Sequence, residues 1–159
     1  MGILTIDMKR MIEEQRLGFV ATVCPDGTPN LSPKGTTAVW DDEHLVFANI
    51  RSPATLTNLR HNSNVEINVV DVFVRKGYRF KGAATILDSG PLYDKVIAFY
   101  RRRGVKNAIR EVVMVRVQRV QTIDSPAYDL GLTEDEIRAR WERHWQSLGS
   151  GETSSSTGE

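Results

Sequence analysis

The chain has 159 residues, with 21 Lys and Arg against 20 Asp and Glu, a net charge of +1. This balance excludes the broad basic surface of a nucleic-acid-binding protein, and 40% hydrophobic residues are ordinary for one globular domain. The single cysteine, Cys24, permits no intramolecular disulfide and favours a reducing compartment. No apolar run approaches the roughly 20 residues of a membrane helix, and no targeting segment is visible, so we expect a cytoplasmic protein without a membrane partner.

The first third of the chain predicts a helix followed by three strands. Apolar residues at helical spacing predict a helix over residues 5–15, and the apolar run 17–24 predicts a strand covered on both faces. A turn signal at residues 25–27 leads into a second strand over 28–40. After an acidic turn, residues 44–50 form the third strand. Consecutive hairpins of this kind predict an antiparallel sheet.

The rest of the chain predicts three more strands, separated by helices. The strands are expected over residues 65–69, 78–87 and 109–123, and the helices over residues 53–61, 91–103 and 133–148. Gly82, in the middle of a strand, indicates a bulge or tight bend. Six antiparallel strands with few helices favour a small β-barrel. We therefore expect a mainly β protein with peripheral helices, a single domain over residues 1–148 and a disordered tail over 149–159.

A helix start directly after the third strand is the leading candidate for a binding site. Ser52 is expected at the N-cap and Pro53 at the first helical position, where its missing N–H costs nothing. A helix N-terminus offers unpaired N–H groups and the positive end of the helix dipole, both of which favour phosphate. Arg51 and Thr55 add a cation and a second hydroxyl. These residues indicate a phosphorylated ligand.

A second segment, residues 30–35, places Lys34 beside Gly35 in the preceding strand. Adjacent strands would bring residues 33–36 near residues 48–55, so both segments could reach one ligand. Each segment alone also has a simpler explanation, as a helix cap or as a solvated strand lysine. Together they favour a phosphorylated cofactor.

Residues 17–87 resemble the pyridoxamine 5′-phosphate oxidase-like family of FMN-binding split barrels. The resemblance rests on the order and spacing of the Asp26-Gly27 turn, Ser32-Pro33-Lys34-Gly35, Leu45-Val46-Phe47-Ala48-Asn49, Ser52-Pro53-Ala54-Thr55-Leu56-Thr57-Asn58-Leu59, Asn62-Ser63-Asn64-Val65 and Gly77-Tyr78-Arg79-Phe80-Lys81-Gly82-Ala83-Ala84. It implies a six-stranded antiparallel split β-barrel that binds FMN. It also implies a homodimer with the cofactor at the subunit interface.

The same resemblance implies which residues contact FMN. The strand at 32–36 would meet the flavin ring and ribityl chain, residues 48–50 would line the ring, and hydroxyls near residue 52 would hold the phosphate. The implied cofactor-binding residues are Ser32, Pro33, Lys34, Gly35, Thr36, Ala48, Asn49, Ile50, Arg51, Ser52, Thr55, Asn58 and Arg79. Where several relatives have a basic pair, this chain has Ala54 and Thr55, so phosphate binding would depend on hydroxyls and backbone N–H groups.

The reaction is less constrained than the cofactor. Pyridoxamine phosphate oxidases end in an Arg-x-His element that holds the substrate, whereas Arg143 and His144 are adjacent here. We therefore expect a flavin-dependent oxidoreductase that acts on another small molecule. The alternatives are a non-enzymatic flavin carrier or sensor, and the same barrel binding F420 or haem. The three histidines are scattered, so no metal site is expected.

Overall fold

Seven strands form one antiparallel sheet in the computed structural model, which describes residues 2–150. The strands are β1 (Gly18–Val23), β2 (Pro29–Lys34), β3 (Ala38–Val39), β4 (His44–Asn49), β5 (Asn64–Asp71), β6 (Lys76–Leu87) and β7 (Glu111–Asp124). Their order across the sheet is β2-β1-β5-β6-β7-β4-β3. The helices are α1 (Ile6–Gln15), α2 (Pro53–His61), α3 (Pro91–Arg102), a short 3-10 helix (Pro126–Leu130) and α4 (Glu134–Gly149).

The mainly β, antiparallel split-barrel class is confirmed, but the barrel has seven strands rather than six. The difference arises because the predicted strand 28–40 is broken by a turn at residues 35–37. The Thr37 hydroxyl donates to the Lys34 carbonyl over 2.9 Å and fixes this turn. As a result β2 pairs with β1, whereas β3 pairs with β4 at the opposite edge of the sheet.

Local capping explains where two of the helices begin. The Thr5 hydroxyl accepts from the backbone of Met8 and starts α1. Thr133 and Glu136 form a capping box at the start of α4. This helix ends at Gly149, one residue later than predicted, and the remainder of the predicted tail lies outside the described residues. No helix among residues 2–150 is long and apolar enough to cross a membrane.

The barrel core lies on the inner face of the sheet. Val20, Ile67 and Phe80 are opposite one another on β1, β5 and β6 and are fully buried. Burial alternates along β5, as expected for a strand with one covered face. The β-bulge expected at Gly82 is present between Lys81 and Gly82. A side chain at Gly82 would collide with the carbonyl of Arg116, so this close approach requires glycine.

The prediction that the first strand is covered on both faces is wrong for the single chain. Alternate residues of β1 are buried, but Phe19 on the outer face is 40% exposed. Leu31 on β2 is 64% exposed and lies directly opposite Ala21 on the same outer face. These two side chains form an exposed apolar surface on the outer face of β1 and β2.

Candidate functional site

The predicted site lies at the seam of the split barrel, where β2 and β4 approach without pairing. The expectation that the two segments are on adjacent strands is corrected, because β2 and β4 lie near opposite edges of the sheet. They are nevertheless close in space. The Thr36 hydroxyl accepts from the Ala48 N–H over 2.9 Å and donates to the Ala48 carbonyl over 3.3 Å. Residues 33–36 therefore do lie beside residues 48–55, across the seam.

Three polar side chains meet on the inner side of this seam. The Lys34 ammonium donates to the Ser32 hydroxyl over 2.8 Å, and the Ser32 and Thr55 hydroxyls are 3.4 Å apart. Lys34 is only 6% exposed and Thr55 only 1%. We call Ser32, Lys34 and Thr55 the seam cluster. Sequence spacing predicted that Lys34 and Thr55 lie near one ligand, the family resemblance added Ser32, and the structure brings the three side chains together.

The charge of Lys34 is not balanced within the described part of the chain. No carboxylate among residues 2–150 forms a salt bridge with Lys34, and burial lowers the pKa of its ammonium below the usual range of lysine. Burying a cation away from water is unfavourable unless a negative group compensates it. The seam cluster is therefore suited to an anion.

The N-cap residue of α2 lies three residues before Thr55 of the seam cluster. Ser52 is the N-cap and Pro53 opens the helix, as expected, but the Ser52 side chain makes no capping hydrogen bond. The backbone N–H of Thr55 reaches the Ser52 carbonyl over 3.2 Å, so it closes the first turn itself. The Ser52 hydroxyl is left uncommitted by the cap, at the positive end of the helix.

Asn58 supports α2 from within the barrel. Its amide donates to the Thr22 hydroxyl over 3.0 Å and lies 3.5 Å from the sulfur of Cys24. At 3% exposure it is buried one turn after Thr55. The structure thus places Asn58 near the seam cluster, with its amide already bonded to β1.

The other predicted residues take different positions around the seam. Gly35 and Thr36 form the turn after β2, and Pro33 lies on the outer face of the sheet. Ala48 is buried, whereas Ile50 and Arg51 are exposed just before α2. Asn49 is half-buried, and its side-chain oxygen is buried without a hydrogen-bond partner among residues 2–150.

Arg79 does not join this group. It lies in the row that contains Phe19 and Asn68, which is on the opposite face of the sheet from Lys34. There its Nε is 3.0 Å from a carboxylate oxygen of Glu66, and Lys81 is 3.2 Å from the other oxygen. Within one chain Arg79 is therefore an ion-pair partner on the outer face.

Sequence reasoning missed Tyr100, which positions the seam from α3. Its hydroxyl donates to the Thr36 carbonyl over 2.8 Å, and the side chain is 1% exposed. Burial strongly raises the pKa of this phenol, which keeps it a neutral donor. The two residues are 64 positions apart, so no local signal could have revealed the contact.

Fold and site together define a split barrel with a buried cluster of one lysine and two hydroxyls at its seam. Residues 4–124 match the pyridoxamine 5′-phosphate oxidase family, and the chain belongs to this family. The structure is similar to HupZ from Group A Streptococcus, with 32% identity and a TM-score of 0.70 over 77% of this chain and 96% of that one. The matched family segment ends at residue 124, before α4 begins.

More distant structures share the fold alone. An FMN-binding protein from Syntrophomonas wolfei subsp. wolfei is 12% identical, with a TM-score of 0.63 over 74% of this chain and 84% of that one. An F420 reductase is 21% identical, with a TM-score of 0.57 over 74% of this chain and 98% of its own. No curated protein sequence significantly matches the chain.

Proposed function

We propose that this protein binds FMN, with the phosphate group in the seam cluster. The observation that carries the proposal is Lys34, a lysine that is 6% exposed and has no carboxylate partner among the described residues. A phosphate monoester carries a charge of about −1.5 to −2 at neutral pH and accepts several hydrogen bonds. It would balance the buried ammonium and use the adjacent hydroxyls.

Each residue at the seam would have a different role in binding the phosphate. Lys34 would supply the charge, while Ser32 and Thr55 would donate hydroxyl hydrogen bonds from β2 and α2. The uncommitted Ser52 hydroxyl and the start of α2 would add donors to the same phosphate. Thr36, held by Ala48 and Tyr100, would keep the two sides of the seam at a fixed separation. The arrangement favours a phosphorylated flavin over riboflavin.

We further propose that the protein is an FMN-dependent oxidoreductase acting on a small molecule. When bound, FMN supplies the ring that accepts a hydride or electrons. The chain's own residues would bind and orient that ring, since Ala48 and Asn49 end β4 next to the seam and Ile50 follows them. A non-enzymatic flavin carrier is the second candidate, because no acid–base pair accompanies the seam cluster within residues 2–150.

The working form would be a cytoplasmic homodimer in which a second copy covers the outer face of β1 and β2. Phe19 and Leu31 expose large apolar side chains there, 40% and 64% respectively. Glu66, Arg79 and Lys81 border this surface with both signs of charge, which suits a self-complementary contact. The family resemblance, which implies a cofactor at the subunit interface, supports the same assembly.

The decisive experiment compares FMN, riboflavin and F420 on the purified, ligand-stripped protein, with binding followed by absorbance. We expect FMN to bind about 100-fold more tightly than riboflavin, since charge-assisted hydrogen bonds to the phosphate are lost. Equal affinity for FMN and riboflavin would show that the seam cluster is not the phosphate site. If the protein does not bind FMN, or binds F420 more tightly, the proposal that FMN is the cofactor is wrong.

A second measurement separates enzyme from carrier. The FMN-loaded protein is mixed with NADH or NADPH and with oxygen or a dye as acceptor. Sustained turnover, beyond one reduction per bound flavin, is expected of an oxidoreductase. Flavin that stays oxidised with both donors would favour the carrier.

A further inference from the structure

The turn between β2 and β3 is held by contacts from two helices. It follows Lys34 directly, so it fixes the end of β2 that carries this lysine. Tyr100 of α3 donates to the Thr36 carbonyl in the turn over 2.8 Å. A side chain added at Gly35 would lie 4.0 Å from the Arg16 carbonyl, so the end of α1 is beside the same turn.

Glu13 of α1 connects the strand after this turn to α3. One of its carboxylate oxygens accepts from the Val39 backbone N–H over 3.1 Å, and the other accepts from the Arg103 guanidinium over 2.7 Å. The Glu13 and Arg103 side chains are 36% and 28% exposed, so water screens the ion pair only partly. One carboxylate therefore joins α1, β3 and α3.

Arg103 links this contact to Tyr100. It follows the last residue of α3, three positions after Tyr100, and its guanidinium carbon lies 5.0 Å from the centroid of the Phe99 ring. The Phe99 and Tyr100 rings are in edge-to-face contact, with centroids 5.3 Å apart. These contacts fix the end of α3 and, with it, the Tyr100 hydroxyl. Glu13 thus reaches the turn by two routes, directly through β3 and indirectly through α3.

We propose that Glu13 is a positioning residue for the phosphate site. Without touching the ligand, it would hold the turn after β2 so that Lys34 and Thr55 face one phosphate group. This inference rests on the proposed function, because FMN phosphate is the ligand proposed for the seam cluster. Coupling between two sites is reciprocal. Glu13 should therefore raise the affinity for FMN, and bound FMN should stabilise the contacts of Glu13.

The first test compares Glu13→Ala with Glu14→Ala, using the ligand-stripped full chain and absorbance to follow binding. Glu14 is the matched control, because its carboxylate pairs with Arg10 on the same helix over 2.7 Å and its side chain is 52% exposed. Glu13→Ala should lower the ratio of FMN affinity to riboflavin affinity about fivefold, the lower end of typical coupling between sites. Glu14→Ala should leave this ratio unchanged. Since riboflavin lacks the phosphate, the ratio reports on the phosphate site rather than on stability.

Glu13→Gln provides a second variant that is closer to the parent protein. Its amide oxygen can still accept from Val39, whereas the charge that pairs with Arg103 is lost, so the ratio should fall by less than in Glu13→Ala. Thermal unfolding is measured on the same samples. A lower melting temperature with an unchanged affinity ratio in both variants would show that Glu13 only stabilises the fold, which would overturn the proposal.

Hydrogen exchange measured by NMR tests the reciprocal effect on unaltered protein. Saturating FMN should slow exchange of the Val39 N–H about fivefold, and riboflavin should not. Exchange that FMN leaves unchanged would overturn the positioning role. If the protein does not bind FMN, the proposed function is wrong and this inference falls with it. FMN binding with an unchanged affinity ratio in the Glu13 variants would defeat this inference alone.

Discussion

Lys34 and Lys81 lie on the same sheet, but they differ in burial and in whether a carboxylate balances their charge. Lys34 is on the inner face, 6% exposed, and within the described part of the chain its one polar partner is the Ser32 hydroxyl. Lys81 is on the outer face, where its side chain is 49% exposed and forms an ion pair with Glu66. The buried lysine therefore has no counter-ion among the described residues, whereas the exposed lysine, which water could solvate, has one.

This contrast shows how to locate an anion site in the molecule. Paired cations such as Lys81 and Arg79 are accounted for by contacts within the chain, and the median exposed pair contributes little to stability. A buried cation without a partner destabilises the fold unless a ligand compensates it. The missing counter-ion, rather than the number of basic residues, therefore marks the site.

Replacing Lys34 should give the largest effect. Lys34→Met keeps the length of the side chain and removes its charge, so FMN affinity should fall about 100-fold while riboflavin binding is maintained. The ligand-free protein should unfold at a higher temperature, because a buried unpaired charge is gone. The matched control, Lys81→Met, should change neither quantity appreciably. Similar losses of FMN affinity in both variants would show that the charge of Lys34 has no special role in binding the phosphate.

The outer face is tested by a charge at the centre of its apolar surface. Phe19→Lys should weaken self-association by about 2 kcal/mol, or roughly 30-fold in the dimer dissociation constant. Light scattering over a dilution series measures this change. Leu130→Lys is the control, since Leu130 is 83% exposed and lies far along the chain in the 3-10 helix. A monomeric parent protein, or equal effects of the two substitutions, would rule out this face as the dimer contact.

The hydroxyls of α2 should contribute less than Lys34. The double variant Ser52→Ala, Thr55→Ala should weaken FMN about tenfold and leave riboflavin unchanged, because only the phosphate loses partners. Thr57→Ala is the control on the same helix, where the hydroxyl donates to the Pro53 carbonyl instead. Equal losses for FMN and riboflavin would show that the helix start does not hold the phosphate.

The smallest effect is a dependence of affinity on pH. The pKa of Lys34 is lowered by burial, so its charge is lost at a lower pH than that of a free lysine, about 10.4. FMN affinity should fall a few-fold as alkaline pH approaches this lowered pKa, and Lys34→Met should remove that decline. In the ligand-free protein the unfolded chain holds the proton more tightly, so the free energy of unfolding should rise with pH across the same window.

Local chemistry made much of the fold predictable. The helix over residues 53–61, which Pro53 opens, and the bulge at Gly82 were predicted from residue types with strong local preferences, and both are confirmed. The break between β2 and β3 was missed because Thr37 holds it through the Lys34 carbonyl, in a segment without a strong turn signal. The exposed side of β1 was missed because an apolar run does not say which face remains uncovered.

The site was predictable in its residue types and less so in its arrangement. Helix-start chemistry and the Ser-Pro-Lys segment led to Ser32, Lys34 and Thr55 together. The face occupied by Arg79 depends on the register between β5 and β6, which sequence spacing did not reveal. The absence of a counter-ion for Lys34 and the bond from Tyr100 to Thr36 depend on distant parts of the chain.

The contact between Thr36 and Ala48 closes the barrel through a side chain at a defined place. Elsewhere neighbouring strands are joined by ladders of backbone hydrogen bonds. At the seam two side-chain contacts, Thr36 with Ala48 and Ser32 with Thr55, stand where such a ladder would run. The distance between β2 and α2 therefore depends on side chains, so a substitution at Ser32 or Thr36 would alter the seam without breaking any strand pairing.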